Sequence, residues 1–300
     1  MKIVTEELRV KFGKQILIDE KLSNYSWFNL GGIADIFFKP NSIRDIIFFF
    51  EKLKPEKFTI IGAGSNTLIR DGGIKGITIK LSSAFSHIKL ESENIIEVGA
   101  ATPDKKVADF AIDNSLTGLE FLACIPGSIG GAVRMNTGCY GHDISKILHS
   151  IKVVDIKGNL KEILSKNIKF SYRSANIGEN LLITSVKLIG THCMKQKIAE
   201  KQKAMVEKKK ISQPSQIKTC GSTFKNPKNK KAWELIKESN CENFKIGNAR
   251  ISEKHCNFFV NNGKASSKNL EELINKVKET VYQKTKISLE LEIKIIGYDK

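Results

Sequence analysis

Two glycine-bearing loops carry the spacing most suggestive of chemistry. The first runs from Ile60 to Gly73 as IIGAGSNTLIRDGG, and the second from Ile125 to Gly138 as IPGSIGGAVRMNTG. An apolar run followed by Gly62 and Gly64 invites comparison with a dinucleotide fingerprint. That fingerprint needs a third glycine, a helix entered directly from the turn, and a pyrophosphate on the helix N-terminus. Here Thr67 stands at the third position, and LIRDGG returns to a turn too soon for a helix. What remains is a loop in which Gly62, Ala63, Gly64, Ser65 and Asn66 can present successive backbone N–H groups to an anion. Alone, such a loop is equally well a tight turn. The second loop changes the balance, because Pro126, Gly127, Ser128, Gly130 and Gly131 can again bring bare backbone up to a ligand. Together the loops suggest a large ligand containing a diphosphate.

Other chemistry-bearing residue types add less. The six cysteines, Cys124, Cys139, Cys193, Cys220, Cys241 and Cys256, form no C-x-x-C pair and are expected as thiols. The histidines show no metal-ligand spacing, so no protein-held metal is expected. The net charge of +17 invites an anionic partner. Of 49 basic residues, however, only Arg9, Arg44, Arg70, Arg134, Arg173 and Arg250 are arginines. Readers of nucleic acid lean on arginine for bidentate contacts, and lysines scattered through every segment fit a basic background better than a dedicated nucleic-acid partner.

These loops must be held by a folded scaffold. A chain of 300 residues with 41% hydrophobic and 27% charged residues is globular and long enough for two or three domains. The opening MKIVTEELRVKFGKQ lacks the apolar stretch of a signal peptide, and no run approaches a membrane span, so a cytoplasmic chain is expected. The spacing predicts a helix in PNSIRDIIFFFEKL, capped by Ser42, and another in TPDKKVADFAIDNS with Thr102 as cap and Pro103 in the first turn. Strands are predicted at Phe58 to Ile61, Ile77 to Leu81, Asn94 to Ala100 and in NLLITSVKLIG, with a hairpin turning at Lys157-Gly158-Asn159. A charged helix from His192 to Lys209 is the best boundary candidate. Beyond it come a short helix around Trp233 to Ser239 and an amphipathic helix with Leu270, Leu273, Ile274, Val277 and Val281 on one stripe. The final ISLELEIKIIG alternates as a strand, with Glu290 and Glu292 on its polar face, and periodicity does not choose between them. Strands and helices without a regular β-α-β rhythm argue for α+β domains.

Seven motifs now stand in order: NYSWFNLGGIAD (Asn24 to Asp35), IIGAGSNTLIRDGGIKG, GLEFLACIPGSIGGAVRMNTGCYG (Gly118 to Gly141), FSYRSAN (Phe170 to Asn176), CGSTFKNP (Cys220 to Pro227), ISEKHCNFFVNNGKAS (Ile251 to Ser266) and LELEIKIIG. Together they closely resemble the UDP-N-acetylenolpyruvoylglucosamine reductase family, in its shorter class, over nearly the whole chain. The resemblance implies an oxidoreductase that reduces UDP-N-acetylglucosamine enolpyruvate to UDP-N-acetylmuramate for peptidoglycan, a cytoplasmic step serving cell-wall growth, cell shape and division. It implies non-covalent FAD with NADPH as co-substrate, in a two-part FAD module of the vanillyl-alcohol oxidase (PCMH) type. The implied partition is 1–82 and 83–194 for that module and 195–300 for a substrate domain. FAD would lie on the loops Gly62, Ala63, Gly64, Ser65, Asn66 and Pro126, Gly127, Ser128, Gly130, Gly131.

The resemblance also assigns roles. Arg173 matches the family's catalytic arginine, Ser222 its proton donor, and Glu292 the carboxylate assisting an enol intermediate. Tyr172, Lys225 and Asn226 are the implied substrate contacts. The chain departs from the family at Cys124, where glycine is commoner, at Cys139, where alanine is, and at Trp27, where a small residue is. Two rival readings are a flavin oxidase that uses oxygen on the same fold and a lysine-driven nucleic-acid binder.

Overall fold

A computed structural model describes residues 4–300, which divide into two compact units, each assembled from separated segments. Of the described residues, the first comprises 4–18, 36–63 and 76–209, and the second 19–35, 64–75 and 210–300. Where the contiguous partition begins its last domain at Lys195, the helix Lys195–Ser212 belongs to the first unit as far as Lys209.

The first unit holds two cores. One packs the helices Glu6–Phe12 and Ile43–Leu53 against the strand residues Ile16, Ile36, Phe38, Ile77 and Ile79. Phenylalanines fill it: Phe38 stacks on Phe49 with centroids 4.0 Å apart, and Phe12 meets Phe38 edge-on at 5.0 Å. The predicted cap is present, since Ser42 Oγ accepts from the Asp45 amide at 3.1 Å. The second core lies under a five-stranded antiparallel sheet ordered Leu160–Leu164, Leu148–Asp155, Leu181–Ile189, Ile95–Gly99, Ile88–Ser92. Its hairpin turns where predicted, with the Gly158 amide donating to Asp155 O at 2.9 Å.

The helix Asp104–Asp113 packs in this second core through Val107, Ala108 and Ala111. Its cap differs from expectation. Pro103 occupies the cap position, while Thr102 Oγ1 donates to the His87 carbonyl at 3.2 Å instead of accepting from the helix. The buried polar contact wins, leaving the helix to start on proline, which lacks an N–H to satisfy.

The second unit is built around the helix Ser267–Thr285. All five residues of the predicted stripe are buried, against the sheet Lys245–Ile246, Ala249–Ile251, Phe259–Asn261. Ser266 and Asn269 close a reciprocal capping box at its start. There the Ser267 amide donates to Asp71 Oδ2 at 2.8 Å, the Asp71 amide donates to Ser267 Oγ at 2.9 Å, and Arg70 grips Glu271 through two bonds of 2.8 and 2.7 Å. These contacts anchor segment 64–75 to the helix.

The closing segment is less regular than its alternation suggests. Only Lys294–Ile296 forms a ladder, parallel to Thr67–Ile69, while Leu291 makes a single bridge to Phe224. The alternation itself holds, with Leu289 and Ile293 buried and Glu290 exposed. Leu273→Ala is expected to cost about 2–5 kcal/mol in urea unfolding, as a cavity in a packed core does. Glu272→Ala, exposed on the same helix, should change stability by less than about 0.5 kcal/mol.

Candidate functional site

The first glycine loop leaves Thr59–Ile60 and enters the strand Thr67–Ile69 rather than a helix, which disposes of the dinucleotide fingerprint structurally. Among the described residues, no protein acceptor meets the backbone N–H groups of Gly62, Ala63, Gly64, Ser65 or Asn66. Successive amides without a protein acceptor are what an anion-binding loop requires. The carbonyls of the loop are occupied instead: Lys80 Nζ donates to Gly62 O, the Trp27 amide to Gly64 O at 3.0 Å, and the Lys294 amide to Asn66 O at 2.9 Å. The loop is therefore held from its carbonyl side, leaving its donor side for a ligand.

In the first unit the two glycine loops meet. A Cβ placed on Gly62 would stand 3.2 Å from Ser128 Oγ, and one on Gly130 would be 3.0 Å from Ala100 O. The second loop is pinned by the Asp104 amide on Gly127 O at 3.2 Å and the Ile129 amide on Thr102 O at 2.9 Å, and it feeds the short helix Ile129–Arg134. A cleft of about 550 Å³ is lined by Lys14, Lys39 and Lys80 among others, and shares Lys80 with the Gly62 loop. Burial, and then the nearby charge of Lys39, pushes the Lys80 ammonium below its ordinary range. The free amides of the first loop, with Lys80 bonded to it, suit a ligand bearing phosphates such as the diphosphate of FAD, whereas in the second loop the Gly130 amide is already taken by Ala100 O at 3.0 Å.

Arg173 also belongs to the first unit. It sits at the tip of the hairpin Phe170–Ser171 and Ser174–Ala175, with φ at +58°, a left-handed conformation uncommon outside glycine. Its guanidinium carbon is 5.0 Å from the centre of the Tyr172 ring, which is 50% exposed. Buried Asn136 holds the hairpin, donating to Ser171 O at 3.0 Å while accepting from the Ser145 amide at 3.0 Å. Because Asn136 closes the helix that follows the second glycine loop, that loop and the arginine hairpin share one support.

Ser222, Glu292 and the Gly64–Asn66 half of the first loop lie together in the second unit. The Glu292 amide donates to Thr223 O at 2.8 Å, so Glu292 is one residue away from Ser222 across a paired backbone. Asn66 Nδ2 donates to Glu292 O at 3.1 Å, tying the same glutamate to the loop. Cys220 packs beneath it, its thiol 3.5 Å from Gly64 O and 3.3 Å from Thr67 O, and burial raises that thiol to about 12. Asn257 clamps the Ser222 strand: its Oδ1 accepts from the Phe224 amide at 3.0 Å and its Nδ2 donates to Phe224 O at 2.8 Å. Of the two glutamates that periodicity left open, Glu290 is exposed and faces Lys225 Nζ at 3.3 Å, while Glu292 is half-buried against the loop. Asn226 Oδ1 accepts from the Ala232 amide at 3.0 Å and so caps the next helix.

Lys80, Asn136 and Asn257 escape sequence reading. Each acts by hydrogen-bonding a backbone group distant in the chain, which no local periodicity reports. Asp104 escapes too: fully buried beside the second loop, both its oxygens lack a partner among the described residues, and burial raises its carboxyl well above the usual range.

Comparison with known proteins finds two domains in order along the chain. Residues 34–164 match the family model of an FAD binding domain, and residues 213–296 match that of the UDP-N-acetylenolpyruvoylglucosamine reductase C-terminal domain. The chain is 43% identical to the UDP-N-acetylenolpyruvoylglucosamine reductase of Pelagibacter ubique, over 97% of this chain and 99% of that one. It is 42% identical to that of Orientia tsutsugamushi (strain Ikeda), over 92% and 93%. The crystal structure of UDP-N-acetylenolpyruvylglucosamine reductase from Thermus caldophilus superposes with a TM-score of 0.82 at 29% identity, covering 94% of this chain and 98% of the other.

The loop geometry yields a paired test. A methyl on Gly64 would stand 1.9 Å from the Tyr25 carbonyl oxygen at a φ of +73°, whereas one on Gly62 meets only Ser128 Oγ. Gly64→Ala is expected to lose at least ~2 kcal/mol in urea unfolding from left-handed strain and the clash, and Gly62→Ala less than half as much. Equal stabilities would contradict the loop geometry.

Proposed function

Since the chain belongs to the UDP-N-acetylenolpyruvoylglucosamine reductase family, an oxidoreductase family with an FAD-binding domain, we propose that it reduces UDP-N-acetylglucosamine enolpyruvate to UDP-N-acetylmuramate at the expense of NADPH, in peptidoglycan precursor synthesis in the cytoplasm. The observation that carries this reading is the joining of Ser222, Glu292 and the Gly64–Asn66 part of the free-amide loop within the second unit. Residues Gly62 to Asn66 and the loop Pro126 to Gly131 would hold the FAD diphosphate without a covalent link, with Lys80 bonded to the first of these loops. When bound there, FAD would supply the hydride chemistry that links NADPH to the enolpyruvyl double bond.

The chain's own residues manage charge and protons. Hydride addition to an alkene conjugated with a carboxylate drives negative charge into an enolate, so donors aimed at that charge lower the barrier. Arg173 offers a planar, permanently charged fork suited to a carboxylate. Glu292 assists the enol form. Ser222 gives its hydroxyl proton to the neighbouring carbon. A serine is a weak acid, yet a carbanion-like enolate is basic enough to take its proton where water is excluded. Tyr172 beside Arg173, and Lys225 and Asn226 downstream of Ser222, complete the substrate contacts.

Ser222→Ala separates these roles. The variant should bind FAD and accept reducing equivalents from NADPH at the wild-type rate in stopped flow, while formation of UDP-N-acetylmuramate falls by at least ~10²-fold. Undiminished product formation would remove Ser222 from the proton-donor role.

A further inference from the structure

Two of the family departures lie side by side. Cys124 ends the 3-10 turn Glu120–Cys124, and Cys139 lies on the two-residue strand Gly138–Cys139, which folds back on itself through Tyr140 and Gly141. Cys139 Sγ is 3.6 Å from the Phe121 carbonyl oxygen, inside the same turn that Cys124 ends, so the two cysteines share one small neighbourhood. A basic end of the long helix covers them: Lys209 Nζ donates to the Cys124 carbonyl, and Lys208 lies 5.3 Å from the centre of the Tyr140 ring. Cys124 is only 4% exposed, whereas Cys139 is half-buried, and both are free thiols. Neither takes part in the chemistry above, and both lie in the first unit.

We propose that Cys124 and Cys139 form a redox-active dithiol, a modification site at the root of the second glycine loop that closes to a disulfide when a hydroperoxide reaches it. The electrostatics support Cys124 as the attacking sulfur. The hydrogen bond from Cys139, together with the Lys209 ammonium, brings its thiol down to about 7 against the opposing effect of burial. Cys139 moves the other way, raised by the Cys124 interaction and by burial. A thiolate beside a lysine and next to a second thiol is the arrangement that favours reversible oxidation over permanent damage.

The chemistry balances in two displacements. The Cys124 thiolate attacks one peroxide oxygen, an S–O bond forms, the O–O bond breaks, and the departing hydroxide takes up the proton shed by Cys124. Cys139 then attacks the Cys124 sulfur, the S–S bond forms, and the S–O bond breaks to release water carrying the Cys139 proton. Two thiols are oxidised by two electrons, and one peroxide becomes two waters. Because Cys124 directly precedes Ile125-Pro126-Gly127, closure fixes the point where the chain enters the glycine loop. The site rests on the shared turn and the lysine end that covers it, and does not depend on which nucleotide that loop holds.

The test uses the full chain as purified, exposed to excess hydrogen peroxide, then denatured, alkylated and mapped by peptide mass. The proposal expects titratable thiols to fall from the six of the sequence by the two in question, a linked peptide joining Cys124 to Cys139, and full recovery with dithiothreitol. Cys139→Ser should instead leave Cys124 as a sulfenic acid that dimedone traps. An unchanged thiol count, linkage through other cysteines, or conversion of Cys124 in the wild type to sulfinic acid without the linked peptide would overturn it. Should Cys139→Ser fail to fold, by circular dichroism, the wild-type peptide map decides alone.

Discussion

The fold is organised around a run of backbone that the protein declines to satisfy. Peptide N–H groups in folded chains almost always find acceptors, and leaving one buried and unpaired costs about 1–3 kcal/mol. Between Gly62 and Asn66 five successive amides lack a protein partner among the described residues, while the carbonyls of the same loop are bonded to Lys80, Trp27 and Lys294. That asymmetry holds the loop by its carbonyls and leaves its donors without a protein acceptor. A diphosphate is the acceptor that matches such a row, and the FAD-binding domain covering residues 34–164 is the family context in which it occurs.

Once the loop is held, the chemistry follows from what is tied to it. In the second unit Asn66 reaches the Glu292 carbonyl, Glu292 pairs with Thr223, and Asn257 clamps Phe224 from the other side. Backbone hydrogen bonds thus fix where Glu292 and Ser222 stand in the second unit. In the first unit the helix leaving the second loop supports the Arg173 hairpin through Asn136. The same economy recurs: an amide side chain satisfies two distant backbone groups and so sets the position of a residue that carries charge.

Much of this was legible in the sequence, unevenly. The amphipathic helix Ser267–Thr285 and the capped helix Ile43–Leu53 could be read because burial periodicity and capping are local signals. The failed dinucleotide fingerprint was legible because helix geometry needs residues that LIRDGG does not provide. The cap at Thr102 was misread because a buried carbonyl at His87 outcompetes a helix end, a tertiary preference invisible in a short window. The final strand was overextended because side-chain alternation reports which face is buried, while ladder hydrogen bonds depend on a partner found elsewhere. The choice between Glu290 and Glu292 had the same cause. Alternation places both on one face, and only Asn66 and Thr223 distinguish them.

The most direct measurement of the central claim is the visible spectrum of the purified protein, followed through two additions. The account predicts a yellow protein whose flavin is released intact by denaturation, whose absorbance near the flavin maximum bleaches with NADPH under nitrogen, and whose colour returns when UDP-N-acetylglucosamine enolpyruvate is added. A colourless protein that takes up no FAD, or a bleached one that the enolpyruvyl sugar leaves bleached, would contradict it.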